Sequence, residues 1–183
     1  FRNRIINGQF TISYRSNTVT VSNLLPANSG AWIVDRWRVH ADNLATSNVS
    51  ITVKQKVPPS GLTFGHALAC NVNSIVSNVV ANPWIVPFRH IIEGYTALPF
   101  YLGATQTGVA RPLVLSLTSN TNTPGTYSVI LKSPADNTYY ATTITFSTAL
   151  TRRSIAIPAC TVGTWNTDAN PCLEILIGGV SLG

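Results

Sequence analysis
The sequence predicts an all-β protein, an antiparallel β-sandwich, on three observations. Apolar and polar residues alternate with period two along most of the chain, as in strands with one buried face. Clusters of Pro, Gly, Asn and Asp interrupt the alternation at short intervals, where turns belong. Hydrophobic residues make up 45% of the 183 residues and charged residues only 10%, well under the ~25% of an ordinary soluble protein. Such a chain can bury a core, and its surface must be covered mainly by Ser, Thr and Asn.

The elements follow in chain order. Residues 48–56 form a half-buried strand, with Val49, Ile51 and Val53 on one face and Ser50, Thr52, Lys54 and Lys56 on the other. Leu113, Leu115 and Leu117 alternate with Val114, Ser116 and Thr118, and Tyr127, Val129 and Leu131 with Ser128, Ile130 and Lys132. Tyr140, Thr142, Ile144 and Phe146 form a further inward set, and Leu173, Ile175 and Ile177 close the series with Glu174 pointing outward. Turn signals stand at residues 58–61, 123–125, 134–137 and 168–171;. β-Branched residues dominate and no stretch sustains a 3.6-residue period, so no helix is expected beyond a short turn within residues 74–81. Residues 28–30 and 103–108 read as exposed loops. The length suits one domain over residues 1–183;. The chain begins at Phe1 and contains no Met, so it is expected to be processed at one or both ends or to be part of a longer chain.

Charge and cysteine content exclude several classes. The net charge is +6, from 12 basic and 6 acidic residues, and the cations are dispersed. Their closest groupings are Arg2 with Arg4, Arg36 with Arg38, and Arg152 with Arg153, so nucleic acid is not the expected partner and rim or interface arginines are. Cys70, Cys160 and Cys172 are odd in number and lack zinc-site spacing;. They are read as buried free thiols, with a Cys160–Cys172 pairing across a loop as the alternative. No apolar run approaches the ~20 residues of a membrane helix.

No catalytic constellation is visible. The acids are Asp35, Asp42, Glu93, Asp136, Asp168 and Glu174. Asp136 and Asp168 lie in turns, where Asp satisfies local backbone groups; Asp35 lies in a strand-like element and Glu93 at a strand end, both in structural roles. His40, His66 and His90 are widely spaced in strand-like segments and are read as packed or rim residues. No phosphate loop or dinucleotide fingerprint is present. The sequence is therefore read as that of a non-enzyme, with no metal and no cofactor.

Ordered short motifs resemble one family. The start, residues 3–10 (Asn-Arg-Ile-Ile-Asn-Gly-Gln-Phe), is followed by Asp35-Arg36-Trp37, Ile92-Glu93-Gly94, Gly125-Thr126-Tyr127-Ser128-Val129, Thr138-Tyr139-Tyr140 with Asp136 before it, and Gly163-Thr164-Trp165. This series resembles a jelly-roll domain found in phage tail-fibre and virion proteins, and it covers nearly the whole chain; residues 82–90 depart from the pattern. The resemblance implies a sandwich like that of carbohydrate-binding modules, on a virion surface, with no shared catalytic centre. It implies attachment to host-surface glycan or, alternatively, a capsid decoration role on the head lattice. Other virion proteins are the implied partners, and the apolar content suggests a homo-oligomer, most simply a trimer.

Sugars are bound by aromatic faces and planar polar groups, because a pyranose face is apolar and its rim carries hydroxyls. Trp37 and Trp165 lie in the motifs and are expected in the core. Trp32, Trp84, Arg89 and Tyr101 are the candidates for a ligand or interface surface formed by loops and rims, with Tyr139 and Tyr140 nearby in type, one of which must face out of its sheet.

Overall fold
A computed structural model of the chain describes residues 4–5, 8–11, 18–22, 29–42, 50–58, 60, 65–74, 84–103 and 109–181. The strands are β1 (Thr18–Ser22), β2 (Ser29–Val34), β3 (Trp37–Asp42), β4 (Ser50–Lys56), β5 (Ala67–Ser74), β6 (Trp84–Glu93), β7 (Leu113–Ser119), β8 (Gly125–Lys132), β9 (Tyr139–Phe146), β10 (Thr151–Ile157) and β11 (Pro171–Ser181). The fold is an all-β antiparallel sandwich. It falls into two compact units, one of residues 5–90 and 176–183 and one of residues 1–4 and 91–175, so that β6 and β11 each run from one to the other. Each holds one buried motif tryptophan, and they are called the Trp37 unit and the Trp165 unit.

In the Trp37 unit, β4 lies between β1 and β5, and β3 between β2 and β6. Alternation explains both sheets. Ile51 and Val53 of β4 point inward against Ile33, Val34, Trp37 and Val39 of β2 and β3. Thr52 points outward and hydrogen-bonds Thr20 at 3.0 Å and Asn73 at 2.8 Å. These bonds satisfy a polar outer face without charge, which is how a chain with so few ions covers a sheet. Asp35 and Arg36 form the two-residue turn between Val34 and Trp37, with Arg36 at φ 71. The Asp-Arg-Trp element is therefore a hairpin turn plus the first residue of β3, not part of a strand as the sequence suggested. Arg36 in the left-handed conformation closes the hairpin within two residues, too short an interruption for the alternation to mark;.

The Trp165 unit contains the β7–β10 pair, with Leu115 opposite Ile155 and Leu113 opposite Ile157, and the β8–β9 pair, with β11 on the other side of β8. Leu115, Val129, Leu131, Ile144 and Ile157 are buried at the inward positions. Tyr127 and Phe146 pack diagonally across β8 and β9 with ring centroids 4.9 Å apart;.

Four expectations are corrected. Glu174 is buried rather than outward-facing, because the run Cys172–Gly178 is buried at every position; a strand covered on both faces hides its polar alternates too. A helix does form: α1 (Gly94–Ala97) continues into a 3-10 turn, Leu98–Phe100, four and three residues long and so below any periodicity signal. Gly103 is buried rather than exposed, and Ser29 and Gly30 belong to β2, while the rest of the two expected loops, residues 28 and 104–108, lies outside the described residues. The turn expected within residues 74–81 lies outside the described residues, apart from Ser74 at the end of β5.

Candidate functional site
The motifs of the Trp165 unit converge on one hydrogen-bonded junction. Gly94 N–H donates to Asn170 O and Tyr95 N–H to Asp168 O, both at 3.0 Å. This docks the start of α1 on the turn before β11. The approach is close enough to need glycine: a Cβ at Gly94 would lie 2.5 Å from Asn166 O and 2.6 Å from Asp168 N;. Asp168 holds that turn in shape, accepting from Asn170 N–H at 2.9 Å and Asn170 Nδ2 at 2.8 Å. Asn166 Nδ2 donates to Pro171 O at 2.7 Å.

A second set of bonds joins residues 133–138 to residues 162–165. Asp136 accepts from Thr138 N–H at 2.9 Å and also from Thr164 N–H. These backbone donors, Thr138 first and Thr164 second, hold its carboxyl below the ordinary carboxylate range;. Ser133 Oγ donates to Thr164 O at 2.6 Å. Trp165, 7% exposed, donates Nε1–H to Val162 O at 2.9 Å. Gly103, at φ 90, lies against the indole, and a Cβ there would stand 2.5 Å from Trp165 Cδ1. So Ile92-Glu93-Gly94, the Asp136 element and Gly163-Thr164-Trp165, scattered over about 70 residues of sequence, build one structural joint.

What this joint presents is a rim. Tyr95 and Leu98, one helical turn apart, are 66% and 40% exposed;. Tyr101 follows the 3-10 turn in left-handed conformation, its N–H bonded to Leu98 O at 3.1 Å. Arg111 N–H donates to Phe100 O at 3.2 Å, and its guanidinium carbon lies 5.4 Å from the centre of the half-buried Tyr101 ring. Val109, beside Arg111 in sequence, is 86% exposed. Two phenols, two aliphatic side chains and one cation thus stand on or beside the short helical segment that the joint holds. A shallow pocket nearby, lined by Leu98, Leu102, Trp165 and Cys172 among others, has a volume of about 10 Å³, room for no more than a water. What the joint offers here is a surface and not a cavity.

The four sequence candidates separate. Tyr101 belongs to this rim. Trp32 lies within β2 of the Trp37 unit, half-buried, with the Arg38 guanidinium 5.8 Å from its ring. Arg89, expected at a loop or rim, is buried at 8% exposure, and its Nη1 donates to His40 Nδ1 at 2.9 Å. Its place in β6 beside β3 explains the correction: from Trp84 onward the segment departing from the family pattern is a strand inside a sheet, with Arg89 opposite Arg38 and Val86 opposite His40, and residues 82–83 lie outside the described residues. Trp84 begins β6, and its side chain is outside the described residues. Trp37 is 3% exposed and packs edge-on to Phe10 at 5.1 Å and against the His90 ring at 4.7 Å. Tyr139 is exposed and Tyr140 half-buried.

Sequence reasoning missed Tyr95 and Arg111. Tyr95 could have been found from its position directly after a motif glycine at a strand end; Arg111 carries no such signal. Cys70, Cys160 and Cys172 are all free, but only Cys172 is buried, Cys70 and Cys160 being half-buried; burial pushes the Cys70 and Cys172 thiols up to about 11. Among the described residues no three His, Cys, Asp or Glu side chains are placed to hold a metal ion.

No family model, curated protein or solved structure matches this chain. Its own residues and geometry therefore carry the functional reading.

Proposed function
We propose that this chain is a bacteriophage virion structural protein, a surface-exposed fibre- or tail-type domain that attaches to host-surface glycan without catalysis. The observation that carries the reading is the rim of Tyr95, Leu98, Tyr101 and Arg111, built on a joint made from the motifs that suggested the family. Recognition by exposed aromatics on a stiff support loses little conformational freedom on binding. The sandwich is read as a jelly-roll of carbohydrate-binding-module type. Asp136 and Asp168 are committed to backbone and amide donors, which fits a binding domain better than a pair of catalytic carboxylates. Low charge and apolar exposure fit contacts with other virion proteins and a homotrimer, with nucleic acid not among the partners.

A second reading, a capsid decoration protein gripping the head lattice, draws on Val109, Val114 and Val162, all exposed in the Trp165 unit. Exposed aliphatic side chains suit a subunit contact. Antibody labelling of intact particles, paired with a glycan array of the isolated protein, separates the two. Tail or fibre labelling with glycan signal supports attachment. Head-lattice labelling with no glycan signal leaves the decoration reading in its place.

A further inference from the structure
We propose that Tyr101 and Arg111 form a subsite for a carboxylate-bearing sugar, so that the glycan recognised is acidic; this rests on the attachment reading above. The geometry has three parts. The Tyr101 ring is half-buried, and the part left open beside Arg111 can meet the apolar side of a pyranose. Arg111 is exposed, and among the described residues the only side chain it engages is that ring, at 5.4 Å. Both residues are fixed through their backbones, Tyr101 to Leu98 O and Arg111 to Phe100 O. The backbone bonds set where both side chains start, and the ring contact places the planar donor fork beside Tyr101 with N–H groups left for a ligand; a guanidinium fork matches a carboxylate with two parallel hydrogen bonds.

The charges around the rim point the same way. The acids close to it, Glu93 and Asp168, stand at the opposite end of α1, where Glu93 precedes Gly94 and Asp168 O binds Tyr95 N–H. Both carboxylate oxygens of Asp168 are turned to Asn170. The Tyr101 end is thus cationic, on a chain whose net charge is already +6. A neutral sugar would use the ring alone. An acidic one uses ring and cation together.

The test is titration calorimetry of the full chain with matched sugar pairs: sialyllactose against lactose, and oligogalacturonate against its methyl ester. The acidic member should bind about tenfold tighter or more, the range of a charge-assisted, two-point hydrogen bond, and the preference should shrink as salt is raised. Arg111→Gln should erase the preference and keep the native melting temperature. Arg152→Gln, which removes an exposed charge on β10, should keep the preference. Equal binding of acidic and neutral members, or a preference that survives Arg111→Gln, overturns the subsite while leaving glycan attachment standing. Absence of binding to every sugar, on the array as well, overturns both.

Discussion
The two buried tryptophans are held by different physics. Trp37 sits in a packed sandwich between Phe10 and His90, and among the described residues its buried Nε1 has no hydrogen-bond partner. Trp165 gives its Nε1 proton to Val162 O and has Gly103 against its ring, with Leu98, Leu102 and Cys172 beside it around a small pocket. Around Trp37 the neighbours are Ile33, Val34, Val39, Ile51 and Val53, a cluster fixed by side-chain volume. Around Trp165 they are turns pinned by Asp136, Asp168 and Ser133. A packed cluster stabilises without regard to what lies outside it. A pinned joint also sets the position of what it carries, and the element carried here is the α1 rim.

The largest effects should come from deleting either indole. Trp37→Ala and Trp165→Ala should each cost roughly 3–5 kcal/mol in denaturant unfolding. A variant of either kind with an unchanged midpoint would remove that tryptophan from the account. Next is the close approach at Gly94. Gly94→Ala must displace the 166–168 backbone and should cost about 1–3 kcal/mol, whereas Gly125→Ala, whose Cβ meets nothing within 4 Å, should stay within about 0.5 kcal/mol of the native protein.

The conservative exchange sharpens the contrast. Trp165→Phe loses a hydrogen bond that Trp37→Phe does not, so the first should be the more destabilising by about 1 kcal/mol. Equal costs would mean that the Nε1 bond contributes nothing. Thiol labelling adds a local readout, since Cys70 packs on the Trp37 cluster and Cys172 lines the pocket beside Trp165. With both thiols raised to about 11 by burial, neither should react quickly at neutral pH. Trp165→Ala should speed Cys172 more than Cys70, and Trp37→Ala the reverse.

The smallest effect is electrostatic. Asp136 has a lowered pKa in the folded chain, so its contribution is present above the unfolded value of about 3.9 and is lost as pH falls through the lower folded value. Asp136→Asn should therefore flatten the acid limb of stability below about pH 4 and leave the alkaline side alone.

The period-two pattern made the strands legible: β7, β8, β9 and most of β4 follow directly from alternating residues, and the turn at Asn137 from turn chemistry. It failed where both faces are covered, as at Glu174, and where an element is one turn long, as in α1. The rim was legible only at Tyr101. The backbones of Tyr95 and Arg111 are placed by bonds to residues far off in sequence or across a loop, and alternation has no access to those. Arg89 was misplaced because an arginine in an irregular segment looks like a surface residue until the strand opposite it, with His40, is known.

The central claim is that the joint holds the rim and the rim does the binding. Side-by-side measurement of melting temperature and host-cell binding for Gly94→Ala and Tyr95→Ala tests it most directly. Gly94→Ala should lower both. Tyr95→Ala removes a side chain that is 66% exposed, so it should keep the native melting temperature and lose most of the cell binding. Full cell binding by a folded Tyr95→Ala protein would contradict the account.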